Sequence, residues 1–319
     1  MDKTLLFSIA IPAYKSIYLA KAIQSCLNQT YDNFELIIVD DASPNDIASI
    51  VSQYTDKRIR YYRNDTGFGA EHVVDNWNRC LQYATGKYLM CMGDDDELEP
   101  ICLEEYHKLI QKRPHLNIYH ARTLIIDEDS NIKQLLEDRP EYESVYSMMW
   151  HRWFKDRRQF IGDWLFNTAA LRQIGGFYSL PFAWNSDDIS AYICAKDGGV
   201  ANTQRPCFRY RVNNSSISMD RMSYRGKIKA HHMAYSWYTD FFRNKPSDSL
   251  DVMYWQDLCA GGEKHFSRMI SLEIGVAYSG HLAKLVLSSW NIVSQNEVTW
   301  KELLKAYYYI IKWWAMKKI

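Results

Sequence analysis

The chain has 319 residues, 47% of them hydrophobic, with Lys plus Arg and Asp plus Glu both numbering 38. That is enough apolar material for a sizeable core, and a net formal charge of zero gives no global field for attracting nucleic acid. No stretch reaches the roughly 18 uninterrupted apolar residues of a membrane-spanning helix, the histidines lack the spacing of a zinc site, and seven cysteines without a Cys-x-x-Cys pair point to a reducing, cytoplasmic interior.

In chain order, Phe7–Pro12 reads as a buried strand that Pro12 ends, and Leu19, Ala22, Ile23, Cys26 and Leu27 predict one face of a helix over Tyr18–Gln29. The run Leu5–Ala13 is too short, and too soon followed by a patterned helix, for a signal peptide. Phe34–Val39 is a second strand, ending in Asp40, Asp41, Ala42, Ser43 and Pro44; Ile47–Tyr54 is helical and Ile59–Arg63 a short strand. Strand, helix and strand at this spacing imply right-handed crossovers and a parallel sheet. The Asp40–Asp41 pair has two readings, caps for the next turn or acceptors for the hydroxyls of a ligand.

Thr66–Ala70, with its Gly-x-Gly, reads as a plain turn before a helix over Val73–Tyr83. The densest chemical signal follows: a short apolar run, Lys87–Met92, that ends in Gly93, Asp94, Asp95, Asp96 and Glu97. Adjacent carboxylates repel, so they either form a solvated turn capping a helix over Cys102–Lys112 or hold Mg2+ or Mn2+, ions that take one or two protein carboxylates and complete their shell with water and phosphate oxygens. Parallel strands would bring Pro12, Asp40–Asp41 and Asp94–Asp96 to one rim, the place where open α/β sheets hold nucleotides.

Leu116–Ile126 reads as a strand and Asp127–Asn131 as a polar turn. From Glu137 to Gln159 the pattern loosens into acids, aromatics and arginines, either a mobile flap near an acceptor or an irregular packed surface. After a helix over Thr168–Gln173 and the turn Gly175, Gly176, Phe177, the run Trp184–Asp188 leads into a helix over Ile189–Lys196. Asp187 and Asp188 either cap that helix or face a cleft as a general base. Gly198–Val200 is a turn, and Arg209–Ser218 a strand and loop.

Beyond Met219 the character changes to long helical patterns rich in Tyr, Trp, Lys and Arg, so the chain divides at 218/219. Rings interleaved with lysines in Trp300–Ile319 suit a helix lying on a membrane surface; packing on the catalytic domain or on a second subunit, as a homodimer, is the other reading.

Taken together, Ser8–Tyr14, Ala22–Tyr31, Glu35–Ser43, Asn78–Gly86 and Gly93–Pro100 resemble, in this order, the family 2 inverting glycosyltransferases of GT-A fold, over residues 7–217. The resemblance implies an α/β fold with a Rossmann-like, mainly parallel central sheet flanked by helices, extended here by a helical C-terminal region. It implies transfer of a sugar from a nucleoside-diphosphate donor, UDP-linked foremost, to a hydroxyl of a saccharide or lipid-linked acceptor, in cell-surface polysaccharide synthesis on the inner face of the membrane.

Carried over by position, Pro12, Ala13 and Tyr14 lie against the nucleotide, Asp41 bonds the base, Asp40 supports that loop, and Asn78 belongs to the same nucleotide side. Asp95 aligns with the metal-holding acid, with Asp96 beside it. Gly93 stands where the family has an earlier Asp, which leaves the ribose contact to Asp94. Gly175–Phe177 resembles the turn before the acceptor site, and Asp187–Asp188 the acidic pair whose second member is the catalytic base. Tyr210–Ser216 resembles a closing loop, with Asn213 where many members carry His.

Three other readings are weighed. A dinucleotide-binding oxidoreductase needs Gly-x-Gly-x-x-Gly after its first strand, and Pro12, Ala13, Tyr14, Lys15 and Ser16 stand there instead. A nucleotidyltransferase would share the sheet and the acids but release pyrophosphate. A non-catalytic glycan-binding or membrane-surface protein on the same fold would bind no nucleotide in a metal-dependent way.

Overall fold

Phe7 to Ala13 form β1, a strand buried along nearly its whole length, which explains its mostly apolar sequence; the Ser8 hydroxyl donates to Glu35 on the neighbouring strand. Helix α1 (Leu19–Leu27) follows, turning Leu19, Ala22, Ile23 and Cys26 inward. Strand β2 (Phe34–Asp40) is buried at every position and pairs with β1 in parallel. Helix α2 (Ile47–Val51), capped by Asp46, is shorter than its pattern implies, because the chain after Val51 leaves the helix in turns. Strand β3 (Ile59–Arg63) completes the parallel edge on β2.

The computed structural model describes residues 4–213, 220–295 and 298–316. They form two units, one made of Met1–Ser179 and Ser186–Asn213, the other of Leu180–Asn185 and Asn214–Ile319.

In the first unit, α3 (Val73–Tyr83) leads to β4 (Tyr88–Cys91), a short β5 (Glu97–Leu98), α4 (Cys102–Lys112), β6 (Ile118–Ile126) and β7 (Ile132–Leu135). Next come β8 (Tyr142–Glu143), α5 (Val145–Phe154), β9 (Trp164–Asn167), α6 (Thr168–Gln173), α7 (Ser186–Ala195) and β10 (Val200–Arg211). The strand order is β3-β2-β1-β4-β9-β6-β10-β5, with β7 on β6 and β8 on β10.

Strand β4 is parallel to β1, β9 is antiparallel to both β4 and β6, and β10 is parallel to β6. Six strands, β3, β2, β1, β4, β6 and β10, therefore run in one direction, with β9 wedged against them. The mainly parallel sheet is as expected, and the reversal at β9 is the feature that periodicity does not reveal. All six carboxyl ends meet along one rim.

The loosened segment Glu137–Gln159 is neither a flap nor an irregular surface. It folds into β8 and α5, the helix being capped by the Ser144 hydroxyl, which accepts the Ser147 amide. Val145, Met148, Met149 and Trp153 are buried. Asp187 and Asp188 lie inside the first turn of α7, not ahead of it as caps.

The second unit holds α8 (Tyr224–Phe241), α9 (Ser249–Ala277), α10 (Leu282–Ser294) and α11 (Trp300–Met316). Ile228, Ile270, Ile274, Leu285, Ile292, Leu303, Ala306 and Ile310 make its core. Thr299 and Glu302 form a capping box at the start of α11: the Thr299 amide donates to the Glu302 carboxylate at 2.8 Å and the Glu302 amide donates to the Thr299 hydroxyl at 3.3 Å. No described helix is long and apolar enough to cross a membrane.

Candidate active site

The rim begins where β1 and β2 end. Asp40 is fully buried; its carboxylate accepts the Ser43 amide at 2.7 Å and the Tyr61 hydroxyl at 2.8 Å, and it pairs with the Arg63 guanidinium. That is a structural assignment, a carboxylate tying β2 to β3. Asp41 accepts the side chain of Asn64 at 2.9 Å and the amides of Phe68 and Gly69, both at 3.1 Å to one oxygen. The Gly-x-Gly turn is therefore folded onto Asp41. Tyr14 projects from the end of β1 with 48% of its surface open, its carbonyl held by the Ser43 hydroxyl at 2.5 Å.

After β4 the three consecutive acids part company. Asp94 turns back to β1, where one oxygen accepts the amides of Tyr14 and Lys15 at 2.7 and 2.6 Å. Burial, and then the charge of Asp95, push its pKa up to about 6. This replaces the helix-cap reading, since α4 has no side-chain cap. Asp96 turns the other way and accepts the Arg211 amide at the end of β10 at 2.9 Å, and burial, followed by the Asp95 charge, raises its pKa well above the carboxylate range. Asp95 stays between them, with 14% of its side chain exposed, meeting Lys15 Nζ at 3.3 Å and Asn213 Nδ2 at 2.8 Å on a single oxygen.

Gly93 makes this fan-out possible. A Cβ there would stand 2.8 Å from the Asp95 carboxylate and 2.9 Å from that of Asp96, so an Asp at this position would collide with its own neighbours.

Arg211 fastens the whole arrangement. It is almost fully buried, donates from Nε to the Asp95 carbonyl at 2.7 Å and from Nη1 to the Asp127 carbonyl at 2.6 Å, and pairs with Glu97. The ends of β4, β6 and β10 are thereby tied at one point. Of the acids assigned to a metal, Asp95 is partly exposed and meets Lys15 and Asn213 through one oxygen, whereas Asp96 is buried with one oxygen on the Arg211 amide. Among the described residues no three His, Cys, Asp or Glu side chains converge as a metal cage. A hard-oxygen donor set of this size fits Mg2+ or Mn2+ sharing its shell with substrate phosphate, and would not suffice for a cage built by protein alone.

Asp188 is buried and held at two points. Arg152 Nε of α5 donates to one oxygen at 2.9 Å, and Gln159 Nε2 to the other at 2.7 Å. Burial acts against the Arg152 charge, but the Asp188 carboxylate outweighs it and raises the arginine pKa above its ordinary value. Burial, and then the Asp188 charge, push Asp187 up to about 7. The pair is joined to the rim through the residue next to Gln159: the Phe160 ring stacks on Tyr210 at 3.8 Å, and Tyr210 precedes Arg211.

The backbone entering α7 is strained. Phe182, Ala183 and Asn185 have φ of 58°, 56° and 70°, in the left-handed region that bulky side chains avoid.

Asn78 is employed differently from its sequence assignment. Its carbonyl oxygen accepts the Phe177 amide at 2.8 Å and its amide donates to the Phe177 carbonyl at 3.3 Å. Gly176, at φ 97°, leaves room for it; a Cβ would come within 2.3 Å of the Asn78 oxygen. Asn78 therefore positions the Gly175–Phe177 turn. Within the expected closing loop, Arg211 and Asn213 are placed as above, and Asn214, Ser215 and Ser216 lie outside the described residues.

Sequence reading misses Lys15, Asn64, Arg152, Gln159 and the rim role of Arg211. Each reaches its partner across tens of residues, and a lone Arg or Gln in a mixed polar segment carries no periodic signal. Lys15 had the best signal, as the first cation after the strand-ending proline.

Comparison with known proteins supplies the family and the fold. The family model for glycosyl transferase family 2 matches residues 8–175. EpsE of Bacillus subtilis is 34% identical over 210 residues, covering 65% of this chain and 72% of that one. The Escherichia coli UDP-Glc:alpha-D-GlcNAc-diphosphoundecaprenol beta-1,3-glucosyltransferase WfgD is 25% identical over 219 residues, 68% of this chain and 81% of its own. Among solved structures, S. aureus TarS 1-349 in complex with UDP-GlcNAc superposes with a TM-score of 0.64 at 12% identity, over 97% of this chain and 91% of that chain, a likeness of fold. With its strand-end acids gathered on one rim of a GT-A sheet, this chain belongs to glycosyl transferase family 2 and is a glycosyltransferase.

Proposed function

We propose that the chain transfers a sugar from a nucleoside-diphosphate sugar, UDP-linked foremost, to a hydroxyl of a saccharide or lipid-linked acceptor with inversion at the anomeric carbon, in the making of a cell-surface polysaccharide. The observation that carries this reading is Asp188, a carboxylate fixed at both oxygens by Arg152 and Gln159 and linked through Phe160 and Tyr210 to the rim that ends in Asp95. The names of WfgD and of the TarS complex, with UDP-Glc and UDP-GlcNAc in them, support UDP as the carrier.

An alcohol is a poor nucleophile at neutral pH, and a positioned carboxylate raises its reactivity by taking the proton as the new bond forms. In this reading the acceptor O–H gives its proton to a carboxylate oxygen of Asp188. The acceptor oxygen attacks the anomeric carbon, and the bond from that carbon to the diphosphate oxygen breaks on the opposite face. Arg152 and Gln159 hold the base in one orientation, and Arg152 balances its charge before transfer. On the donor side Tyr14 offers an open ring and Asp41 a loop-bound carboxylate against which a nucleotide can lie. Mg2+ or Mn2+ bound at Asp95 would supply positive charge for the leaving diphosphate.

The test is a thermal-shift screen of UDP-, GDP- and CMP-linked sugars with and without Mn2+. One nucleotide class should raise the melting temperature, more so with Mn2+, and Asp95→Ala should remove the Mn2+-dependent part. No shift with any sugar nucleotide would contradict the donor assignment, and release of pyrophosphate in place of nucleoside diphosphate would make the chain a nucleotidyltransferase.

A further inference from the structure

The second unit leaves an apolar surface uncovered that the transfer chemistry does not use. Helix α11 turns Leu303, Ala306 and Ile310 into the unit's core, and α10 turns in Leu285 and Ile292. The opposite faces are large and apolar. On α10, Val286, Leu287 and Trp290 are 58%, 86% and 75% exposed, and on α11, Leu304, Tyr308 and Ile311 are 66%, 59% and 54% exposed. At helical spacing the three α11 residues form one stripe.

Charge decides what covers it. The charged residues of α10 are limited to Lys284, and those of the described part of α11 are Lys301, Glu302, Lys305 and Lys312. Glu302 is 6% exposed and closes the helix cap on Thr299. The solvent side of the two helices therefore presents lysines and no acid among the described residues. On a helical wheel Lys301 and Lys312 flank the Leu304–Tyr308–Ile311 stripe on one side, where their stems can lie along apolar surface while the ammonium groups reach outward.

We infer that the α10–α11 face docks on an anionic lipid bilayer, with the leucine, tryptophan and tyrosine side chains at headgroup depth and the lysines against lipid phosphates. Rings and lysines without acids are what such an interface selects. A second copy of the chain fits less well. A two-fold contact places the same patch against itself, and a patch that carries lysines and no acid offers a second copy nothing to pair with their charge. No described helix is long and apolar enough to cross the bilayer, and the contact proposed here is with its surface. Docking is independent of the donor assignment and holds for a chain that transfers nothing.

Co-sedimentation of the full chain with phosphatidylcholine vesicles, with and without phosphatidylglycerol, tests it. The wild type should bind the vesicles containing phosphatidylglycerol at least tenfold more strongly than neutral ones, and less strongly as salt rises. Leu287→Glu with Trp290→Glu, and separately Leu304→Glu with Ile311→Glu, should each lower binding tenfold or more; all four positions are exposed, and unchanged circular dichroism would show that the fold survives. Lys301→Glu with Lys312→Glu should do the same. Binding that ignores these changes, or that is equal on neutral vesicles, overturns the proposal. So does a dimer in analytical ultracentrifugation that Leu304→Glu dissociates, combined with no vesicle binding.

Discussion

Asp40–Asp41 and Asp187–Asp188 are the same dipeptide in the sequence, and the fold gives them different surroundings. At the end of β2, Asp40 is sealed by Arg63, Tyr61 and the Ser43 amide, and Asp41 is wrapped by the Phe68 and Gly69 amides. These carboxylates are stabilised by many donors and hold loops in place. At the start of α7, Asp188 has two side-chain donors, and Asp187 is pushed up to about 7 by burial and by its neighbour. The two pairs therefore differ in what surrounds them: strand and loop donors close over Asp40 and Asp41, whereas Asp188 rests on the side chains of Arg152 and Gln159, a difference that residue type does not encode.

That contrast can be broken by substitution. The largest effect expected is on turnover: Asp188→Asn should lower kcat by about 1,000-fold, the scale of general-base catalysis, while donor affinity stays within a few-fold. A steady-state assay with separate donor binding measures both, and wild-type turnover would mean that the base is elsewhere. Asp40→Ala should act on stability, not on chemistry. It leaves the Tyr61 hydroxyl and the Ser43 amide without their acceptor, at a cost of about 1–3 kcal/mol in urea denaturation; no change would show that β2 and β3 hold without it.

The smallest effect sharpens the comparison by pH. The folded-state pKa of Asp187 lies above the carboxylate value of an unfolded chain, so the native state keeps this proton longer than the unfolded state does. Its contribution to stability is therefore largest where the group is protonated and is lost as pH rises through about 7. Asp187→Asn lacks that loss, so its melting temperature should gain on the wild type between pH 5 and pH 8. A gap that stays constant across that range would remove the raised pKa from the account.

The sheet direction, the rim and the acid-ended strands were legible from sequence because buried parallel strands are mostly apolar runs and their ends are punctuated by Asp40–Asp41 and Gly93–Asp96, although β1 runs one residue past Pro12. The direction in which each acid turns was not. Asp94, Asp95 and Asp96 are consecutive, yet they serve β1, the open rim and β10, and that division depends on amides of Tyr14, Lys15 and Arg211 far away along the chain. The segment around α5 was illegible for another reason. Its buried Met148, Met149 and Trp153 are interleaved with Arg152 and Arg157, which are themselves drawn to Asp188 and Glu143, so no clean apolar face shows in the sequence.

The central claim is a single displacement, with Asp188 drawing the proton from an alcohol that attacks the face opposite the diphosphate. The most direct measurement is the anomeric configuration of the newly formed glycosidic bond, read by proton NMR, once the screen has identified an accepted donor and acceptor. From an α-linked nucleotide sugar the account predicts a β-linked product. An α-linked product from that donor would contradict it.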